Sequence, residues 1–192
     1  MERTNFHLHP TDNELFYRLG GKVPLEGAYA LFYYDKAGRL QRLMTALKYQ
    51  QAPLLGIRLG ELLGKSLKES ADLNTFDAIV PVPLHWTRMA RRGYNQASYI
   101  GKGISMALNC PTIEGKLVRR NRTAVQAQKK GMSRWANVSQ AFQCKGTMPS
   151  HVLLIDDVIT TGATLEACIR AILMNSPKTK VSIACLGMTR RH

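Results

Sequence analysis

Hydrophobic residues recur along this chain with two different spacings, which predict strands and helices in turn. The aromatic stretch Gly27 to Asp35 is typical of a β-strand. Arg39 to Tyr49 then carries apolar residues at helical spacing with Lys and Arg opposite them. Pro53 interrupts this pattern, and a second amphipathic helix is expected to run to about Lys68.

The rest of the chain continues the alternation of short apolar runs and helical patterns. Because parallel strands need helical crossovers, this order predicts an α/β fold with a mainly parallel sheet flanked by helices. The predicted strands are Ala78 to Val80, Val152 to Ile155 and Val181 to Leu186, and the predicted helices run from Asn95 to about Leu108 and from Thr164 to about Met174.

The second predicted helix contains a sequence that resembles a nucleotide-binding P-loop. Gly60-Glu-Leu-Leu-Gly64-Lys65-Ser66 has three residues between its glycines, where a P-loop requires four. No strand precedes it, and leucines continue a helical face through it. We therefore interpret it as part of an amphipathic helix.

The chemistry concentrates in Val152 to Thr164, where a strand, two carboxylates, a hydroxyl-rich turn and a helix start follow one another. Backbone N–H groups at the start of a helix favour anions, so Thr160, Thr161, Gly162, Ala163 and Thr164 suit a phosphate. Gly162 allows close backbone approach. Asp156 and Asp157 have only acceptors when ionised, which suits sugar hydroxyls or the water on a metal. Together these groups fit a ribose 5-phosphate.

A surface turn with an N-capping threonine would explain part of this run, but the complete ordered unit favours a binding site. The run resembles the phosphoribosyl-pyrophosphate (PRPP) motif of type I phosphoribosyltransferases. The resemblance implies that Asp156 and Asp157 bind the ribose hydroxyls and are the catalytic residues. It also implies that Thr160 to Thr164 bind the 5′-phosphate. It also implies Mg²⁺ bound with PRPP, without direct protein ligands.

Two further segments add anion-binding groups. The resemblance places a pyrophosphate loop at Val82, Pro83 and Leu84, although a proline-rich turn without a ligand is an equal alternative. Three arginines follow before Asn95, which is expected to cap the next helix. A polar segment from Leu117 to Phe142 predicts a flexible loop that either covers the ligand or only connects elements. The candidate anion-binding residues are Arg88, Arg91, Arg92, Arg119, Arg122, Lys129, Lys130 and Arg134.

Several ordered motifs narrow the resemblance to the ComF family of competence-associated, phosphoribosyltransferase-like proteins. They are Pro-Val-Pro-Leu, Arg-Arg-Gly-Tyr-Asn-Gln, Ser-Arg-x-x-Asn-Val and Asp-Asp-Val-x-Thr-Thr-Gly-Ala-Thr. On this basis we expect one domain over residues 1–192, with an N-terminal hood in residues 1–50 and a PRPP-binding core in residues 51–192. ComF-like proteins commonly carry an N-terminal four-cysteine zinc ribbon, and this chain has no cysteine before Cys110. We expect that ribbon to be lacking.

Charge changes this picture more than composition does. The chain has 27 Lys and Arg against 13 Asp and Glu, a net charge of +14. Residues 88–134 hold eleven basic residues and one acidic one. Such a field suits nucleic acid or a ligand with several phosphates, and an ordinary basic surface is the alternative.

The remaining features predict a globular protein of the cytoplasm. No long apolar run predicts a membrane span, and the N-terminus lacks a signal peptide pattern. The four scattered cysteines do not form a zinc pattern, and reduced, buried thiols are expected at Cys168 and Cys185. The oligomeric state stays open.

Two functions follow from these observations. The first is an enzyme that transfers the phosphoribosyl group of PRPP, or of another phosphorylated ribose, to a nitrogen acceptor. The second is a non-catalytic factor that binds single-stranded DNA by charge and by stacking on Trp86, Tyr94 and Trp135. The ComF resemblance implies a link to DNA uptake in natural transformation for either. A regulator with an effector in the same pocket is a third possibility without a helix-turn-helix signal.

Overall fold

Four parallel strands form the central sheet of the computed structural model, which describes residues 1–70, 75–120 and 141–190. The spatial order is β1-β6-β5-β2. The strands are β1 (Gly27–Tyr33), β2 (Ala78–Pro81), β5 (His151–Ile159) and β6 (Lys180–Met188), and a separate antiparallel pair consists of β3 (Leu117–Arg119) and β4 (Phe142–Cys144). The predicted α/β fold with a parallel sheet is confirmed.

Helices cover both faces of this sheet. They are α1 (Glu14–Gly20), α2 (Arg39–Tyr49), α3 (Pro53–Lys68), α4 (Trp86–Arg92), α5 (Gln96–Leu108) and α6 (Ala163–Asn175), preceded by a short 3-10 helix, Phe6–Leu8. One apolar core joins α1, α6 and the β3–β4 pair to the sheet, and another joins α2, α3 and α5 to the opposite face. Successive side chains of a strand point to opposite faces of the sheet, so each strand contributes side chains to both cores.

The sequence pattern located most helix and strand boundaries correctly. Helices α2 and α3, the Asn95 cap and the helix after Gly162 occur as predicted, whereas α1 was not predicted. Strand β5 is longer than predicted and runs through Asp156 and Asp157, because β6 pairs with it as far as Ile159. The carboxylates are therefore the sixth and seventh of the nine residues of the strand, on a backbone held by the sheet.

Two other expectations need correction. The three arginines expected ahead of the Asn95 cap lie in or at the end of a helix of their own, α4. The ends of the segment predicted as an irregular loop form β3 and β4. Residues 121–140 lie outside the described part of the chain, so the prediction of a covering loop there stays a prediction.

The glycines of the P-loop-like sequence pack α3 against α5. A Cβ atom on Gly60 would lie 2.1 Å from the Ile100 carbonyl oxygen, and one on Gly103 would lie 2.0 Å from the Ile57 carbonyl oxygen. Gly56 and Gly64 face α5 in the same way. This confirms the amphipathic helix, and it explains the glycines by backbone contact between two helices.

The described residues include no helix with the length and apolar character needed to cross a membrane. All four cysteines are buried and unpaired, as expected for Cys168 and Cys185.

Candidate functional site

A polar pocket lies where β5 turns into α6. It is lined by Asp156, by residues 158–164 and by Leu165, and its volume is about 40 Å³. By the same measure a single water needs about 10–15 Å³, so the pocket has room for a group larger than water. The predicted acidic residue Asp156 and the predicted phosphate-binding residues Thr160 to Thr164 therefore share one pocket.

The predicted phosphate-binding residues form the turn at the start of α6. Gly162 is the N-cap residue with φ 80°, in the left-handed region that favours glycine. Thr161 Oγ1 accepts a hydrogen bond from the Ala163 N–H at 3.4 Å. Thr160, Thr161 and Thr164 are exposed, so their hydroxyls face solvent beside the positive end of the helix dipole.

Gly162 also has a second role that the sequence did not indicate. A Cβ at this position would lie 2.7 Å from Leu19 Cδ2, so α1 packs directly beneath the turn. Leu19 is fully buried. The absence of a side chain at Gly162 therefore serves the packing of α1, in addition to the close ligand approach that the sequence predicts.

Arg18 of α1 connects the turn to the end of β6. Its Nη1 donates to the Thr160 carbonyl at 2.6 Å, and its Nη2 donates to the Thr189 carbonyl at 2.6 Å and to Glu14 at 2.5 Å. Only 4% of the residue is exposed. Sequence reasoning missed Arg18, because the two carbonyls that it binds lie more than 140 residues away along the chain.

The two carboxylates are held by backbone N–H groups of their own strand. Asp156 Oδ1 accepts from the Asp157 N–H at 2.8 Å, and Asp157 Oδ1 accepts from the Val158 N–H at 2.6 Å. Burial and the neighbouring Asp157 charge raise the pKa of Asp156 to about 7. At neutral pH, Asp156 is therefore partly protonated, which lets it both donate and accept a hydrogen bond.

Lys48 at the end of α2 forms an ion pair with Asp157. Its Nζ lies 2.7 Å from Asp157 Oδ2, and the side chains are 24% and 14% exposed. The same ammonium lowers the pKa of Asp156, against the larger effect of burial. Sequence reasoning assigned α2 correctly but did not connect Lys48 with the acidic pair.

The predicted pyrophosphate loop lies next to the acidic pair, because β2 is the neighbour of β5. Val82 donates its N–H to the Ile155 carbonyl at 2.8 Å, which uses that donor in the sheet. Pro83 has no N–H, so a main-chain donor for a ligand would come from Leu84. The Asn95 side chain donates to the Val82 carbonyl at 2.9 Å and ties this loop to the start of α5.

The basic residues form two groups. Arg119 on β3 is half-buried, and its charge interacts with the charges of Asp156 and Arg88. Burial and, after it, the positive charge of Arg88 lower the pKa of Arg119, whereas the charge of Asp156 raises it. Arg91 and Arg92 lie over the Tyr49 ring, each 5.4 Å from its centre. The remaining predicted members, Arg122, Lys129, Lys130 and Arg134, fall outside the described residues.

The donors available to a metal are few. Within residues 1–70, 75–120 and 141–190, no three His, Cys, Asp or Glu side chains come together as a metal-binding group. Asp156 and Asp157 supply hard oxygen atoms of the kind that Mg²⁺ prefers. The site thus fits a cation that brings most of its ligands with a substrate and water.

Comparison with known proteins identifies the family to which this chain belongs. A family model described as "Phosphoribosyl transferase domain" matches residues 46–191. The Escherichia coli (strain K12) DNA utilization protein YhgH is 30% identical over 159 residues, covering 81% of this chain and 70% of that protein. Competence protein F of Haemophilus influenzae is 38% identical over 113 residues, covering 57% of this chain and 49% of that protein.

More distant matches follow. Competence protein ComFC of Bacillus subtilis is 32% identical over 106 residues, covering 54% of this chain and 41% of that protein. Adenine phosphoribosyltransferase from Leishmania tarentolae superposes with a TM-score of 0.45 at 11% identity, covering 86% of this chain and 94% of that one. The aligned part of this chain spans about half the length of competence protein F.

The matched region contains β2, β5, α6 and β6 and with them the whole pocket. The chain therefore belongs to the phosphoribosyl transferase domain family, together with relatives that include competence protein F and DNA utilization protein YhgH.

Proposed function

We propose that this protein binds PRPP, or a closely related phosphorylated ribose, and transfers its phosphoribosyl group to a nitrogen acceptor. The observation that carries the proposal is the pocket in which an acidic residue of the β5 pair and a hydroxyl-rich helix N-terminus lie together. A ribose 5-phosphate presents hydroxyls and a phosphate, which are the partners that these two kinds of group favour. Neither an anion site alone nor an acidic pair alone would favour this ligand.

Each group has a distinct role in this proposal. Asp156 and Asp157 accept hydrogen bonds from the ribose hydroxyls, and the first turn of α6 with Thr160, Thr161 and Thr164 binds the 5′-phosphate. The N–H of Leu84 and the guanidinium groups of Arg88 and Arg119 favour the pyrophosphate. Arg18 holds the Thr160 carbonyl and so orients the phosphate-binding turn.

Mg²⁺ fits this arrangement as a companion of the substrate. Asp156 and Asp157 would hold it through its water ligands, and it would neutralise part of the charge of the pyrophosphate. The protein's own residues provide the rest of the chemistry. They hold C1 of the ribose in line with the incoming nitrogen, and their carboxylates offset the positive charge that develops on the ring as pyrophosphate leaves.

The proposal is tested by calorimetric titration of PRPP with Mg²⁺ into the wild type and into Asp156→Asn/Asp157→Asn. We expect binding by the wild type and a loss of at least about 100-fold in the double variant, since two contacts to the sugar weaken. Asp35→Asn/Glu114→Gln removes two exposed carboxylates elsewhere and is expected to bind like the wild type. Absence of binding by the wild type would contradict the proposal.

A second candidate function is binding of single-stranded DNA, linked to DNA uptake. It is favoured by Trp86, which is 60% exposed at the start of α4, beside the exposed Arg88 and Arg91. The names of two relatives, competence protein F and DNA utilization protein YhgH, also favour a function linked to DNA. Tyr94 does not join this surface, because it is partly buried and its hydroxyl donates to the Leu47 carbonyl. Trp135 lies outside the described residues.

This second function is tested by fluorescence anisotropy with a labelled oligothymidylate. If charge and stacking bind the strand, affinity falls as salt rises, survives Asp156→Asn/Asp157→Asn and drops about tenfold in Trp86→Ala. Tyr17→Ala is the matched control, because Tyr17 is 67% exposed and lies on α1. Equal losses in the two aromatic variants would argue against a stacking site at Trp86.

A further inference from the structure

The last turn of α2 places a lysine against the acidic pair in a built environment. Leu47 is fully buried, and its carbonyl accepts a hydrogen bond from the Tyr94 hydroxyl. The next residue, Lys48, extends to Asp157 with an N–O distance of 2.7 Å. The backbone that carries Lys48 is therefore held by the core on one side and by the start of α5 on the other.

The following residue anchors the same turn to α4. The Tyr49 ring lies beneath the guanidinium groups of Arg91 and Arg92, each 5.4 Å from the ring centre. Three consecutive residues thus contact the core, the acidic pair and the arginines of α4, and Lys48 is the one that reaches the acidic pair.

We propose that Lys48 is a built-in counter-cation of the ribose-binding carboxylates, which lets this site take a polyanionic ribose ligand at lower Mg²⁺ than the acidic pair alone would require. The proposal rests on the proposed function. It assigns to Lys48 a positioning role at Asp157 and makes it a determinant of how strongly binding depends on the divalent cation.

The physical reason is charge balance in a partly buried site. A ligand with a 5′-phosphate and a pyrophosphate is repelled by Asp156 and Asp157, and burial reduces the screening of that repulsion by salt. An ammonium at 2.7 Å from Asp157 offsets one of the two negative charges before the ligand arrives.

Mg²⁺ in solution can supply the same neutralisation, so the two cations should substitute for each other. The test measures PRPP affinity by calorimetry at Mg²⁺ concentrations below and well above that of PRPP. The variants are Lys48→Gln, which keeps a hydrogen-bond donor but removes the charge, and Lys48→Arg, which keeps the charge. Lys178→Met is the matched control, because Lys178 precedes β6 at the opposite end of the sheet, roughly 20 Å from Asp157 at about 3.3 Å per strand residue.

We expect Lys48→Gln to bind PRPP about tenfold more weakly than the wild type at low Mg²⁺, a difference of about 1.4 kcal/mol. The gap should narrow to within about threefold at high Mg²⁺, while Lys48→Arg and Lys178→Met follow the wild type at both concentrations. Circular dichroism with thermal unfolding checks that the variants are folded. If Lys48→Gln is unfolded, Lys48→Arg is compared with the wild type in its place.

Each outcome decides the proposal. A deficit of Lys48→Gln that shrinks as Mg²⁺ rises supports it. Affinity of Lys48→Gln equal to the wild type at both concentrations, or a deficit that does not change with Mg²⁺, overturns it and assigns Lys48 a structural role. If Lys48→Gln is unfolded, Lys48→Arg decides: wild-type affinity at both concentrations supports the proposal, and a loss independent of Mg²⁺ overturns it. If the wild type binds PRPP, an outcome that overturns the role of Lys48 leaves the proposed function intact. If the wild type does not bind PRPP, the role of Lys48 and the proposed function are both overturned.

Discussion

Two glycine-containing segments of this protein each suggest a phosphate site in the sequence, and the structure gives them different roles. Gly60 and Gly64 lie inside α3, and their missing side chains allow the backbones of α3 and α5 to touch. Gly162 lies before α6 with φ 80°, at the carboxyl end of a sheet strand, and opens a polar pocket. The first segment resembles a phosphate loop and is packing. The second is the candidate phosphate site.

The difference lies in what precedes each glycine. A strand delivers Gly162 to the edge of the sheet where parallel strands end, and ligands bind at that edge in open α/β sheets. Gly60 is preceded by its own helix, so its N–H group is turned into the helix and its surface faces another helix. Glycine spacing alone therefore indicates close approach, and the preceding element decides whether backbone or ligand approaches.

The largest expected effect comes from filling the α3–α5 contact. Gly103→Ala places a Cβ 2.0 Å from the Ile57 carbonyl oxygen and 2.7 Å from the Glu61 nitrogen, and both are backbone atoms. We expect the free energy of unfolding to fall by more than about 3 kcal/mol in urea titration, since neither helix can move freely. Gly101→Ala on the same helix is the control, because its Cβ would meet the nearest atom at 3.4 Å. Equal effects in the two variants would contradict the packing interpretation.

The next effect concerns the support of the pocket. Arg18→Met removes the donor to the Thr160 and Thr189 carbonyls and leaves these partly buried acceptors without that partner. We expect a loss of about 3 kcal/mol in the free energy of unfolding and a weaker affinity for PRPP. Arg58→Met on exposed α3 surface is expected to change either quantity little. Stability loss with unchanged affinity would show that Arg18 does not orient the turn.

The acidic pair predicts a pH dependence that the α3–α5 contact lacks. The folded-state pKa of Asp156 is about 7, above the value near 3.8 of an unfolded chain, so the folded state binds the proton more tightly. Stability from this group is therefore fully present at low pH and declines as pH rises through 7, by about 2 kcal/mol between pH 5 and 7. Denaturant unfolding at several pH values should show this decline in the wild type and lose it in Asp156→Asn. The same slope in both would contradict it.

The smallest change in stability is expected at Gly162. Gly162→Ala forces a side chain into a left-handed backbone and against Leu19, which can shift because the contact is with the end of a flexible side chain. We expect about 1 kcal/mol of destabilisation and about tenfold weaker PRPP binding. Adding Leu19→Ala relieves the contact and should recover part of the binding measured by calorimetry. No recovery would attribute the loss to backbone strain alone.

Features contained in one stretch of chain were predictable. The period of apolar residues located α2, α3 and α5, and the succession from Val152 to Thr164 indicated both the acidic pair and the phosphate-binding turn. These features depend on neighbours within a few residues, which the sequence displays directly. The length of β5 was underestimated, because its last residues are held by pairing with β6 and not by their own pattern.

The sequence by itself determined the alternation of strands and helices, the order of the motifs and the chemical character of the turn before α6. Only the tertiary structure decided that Lys48 meets Asp157, that Arg18 reaches Thr160 across 142 residues, and that Leu19 packs beneath Gly162. The physical reason is that these contacts depend on the strand order β1-β6-β5-β2, which brings distant segments to one edge of the sheet. Local periodicity carries no record of that order, and so the residues that support and neutralise the site emerge only when the sheet is assembled.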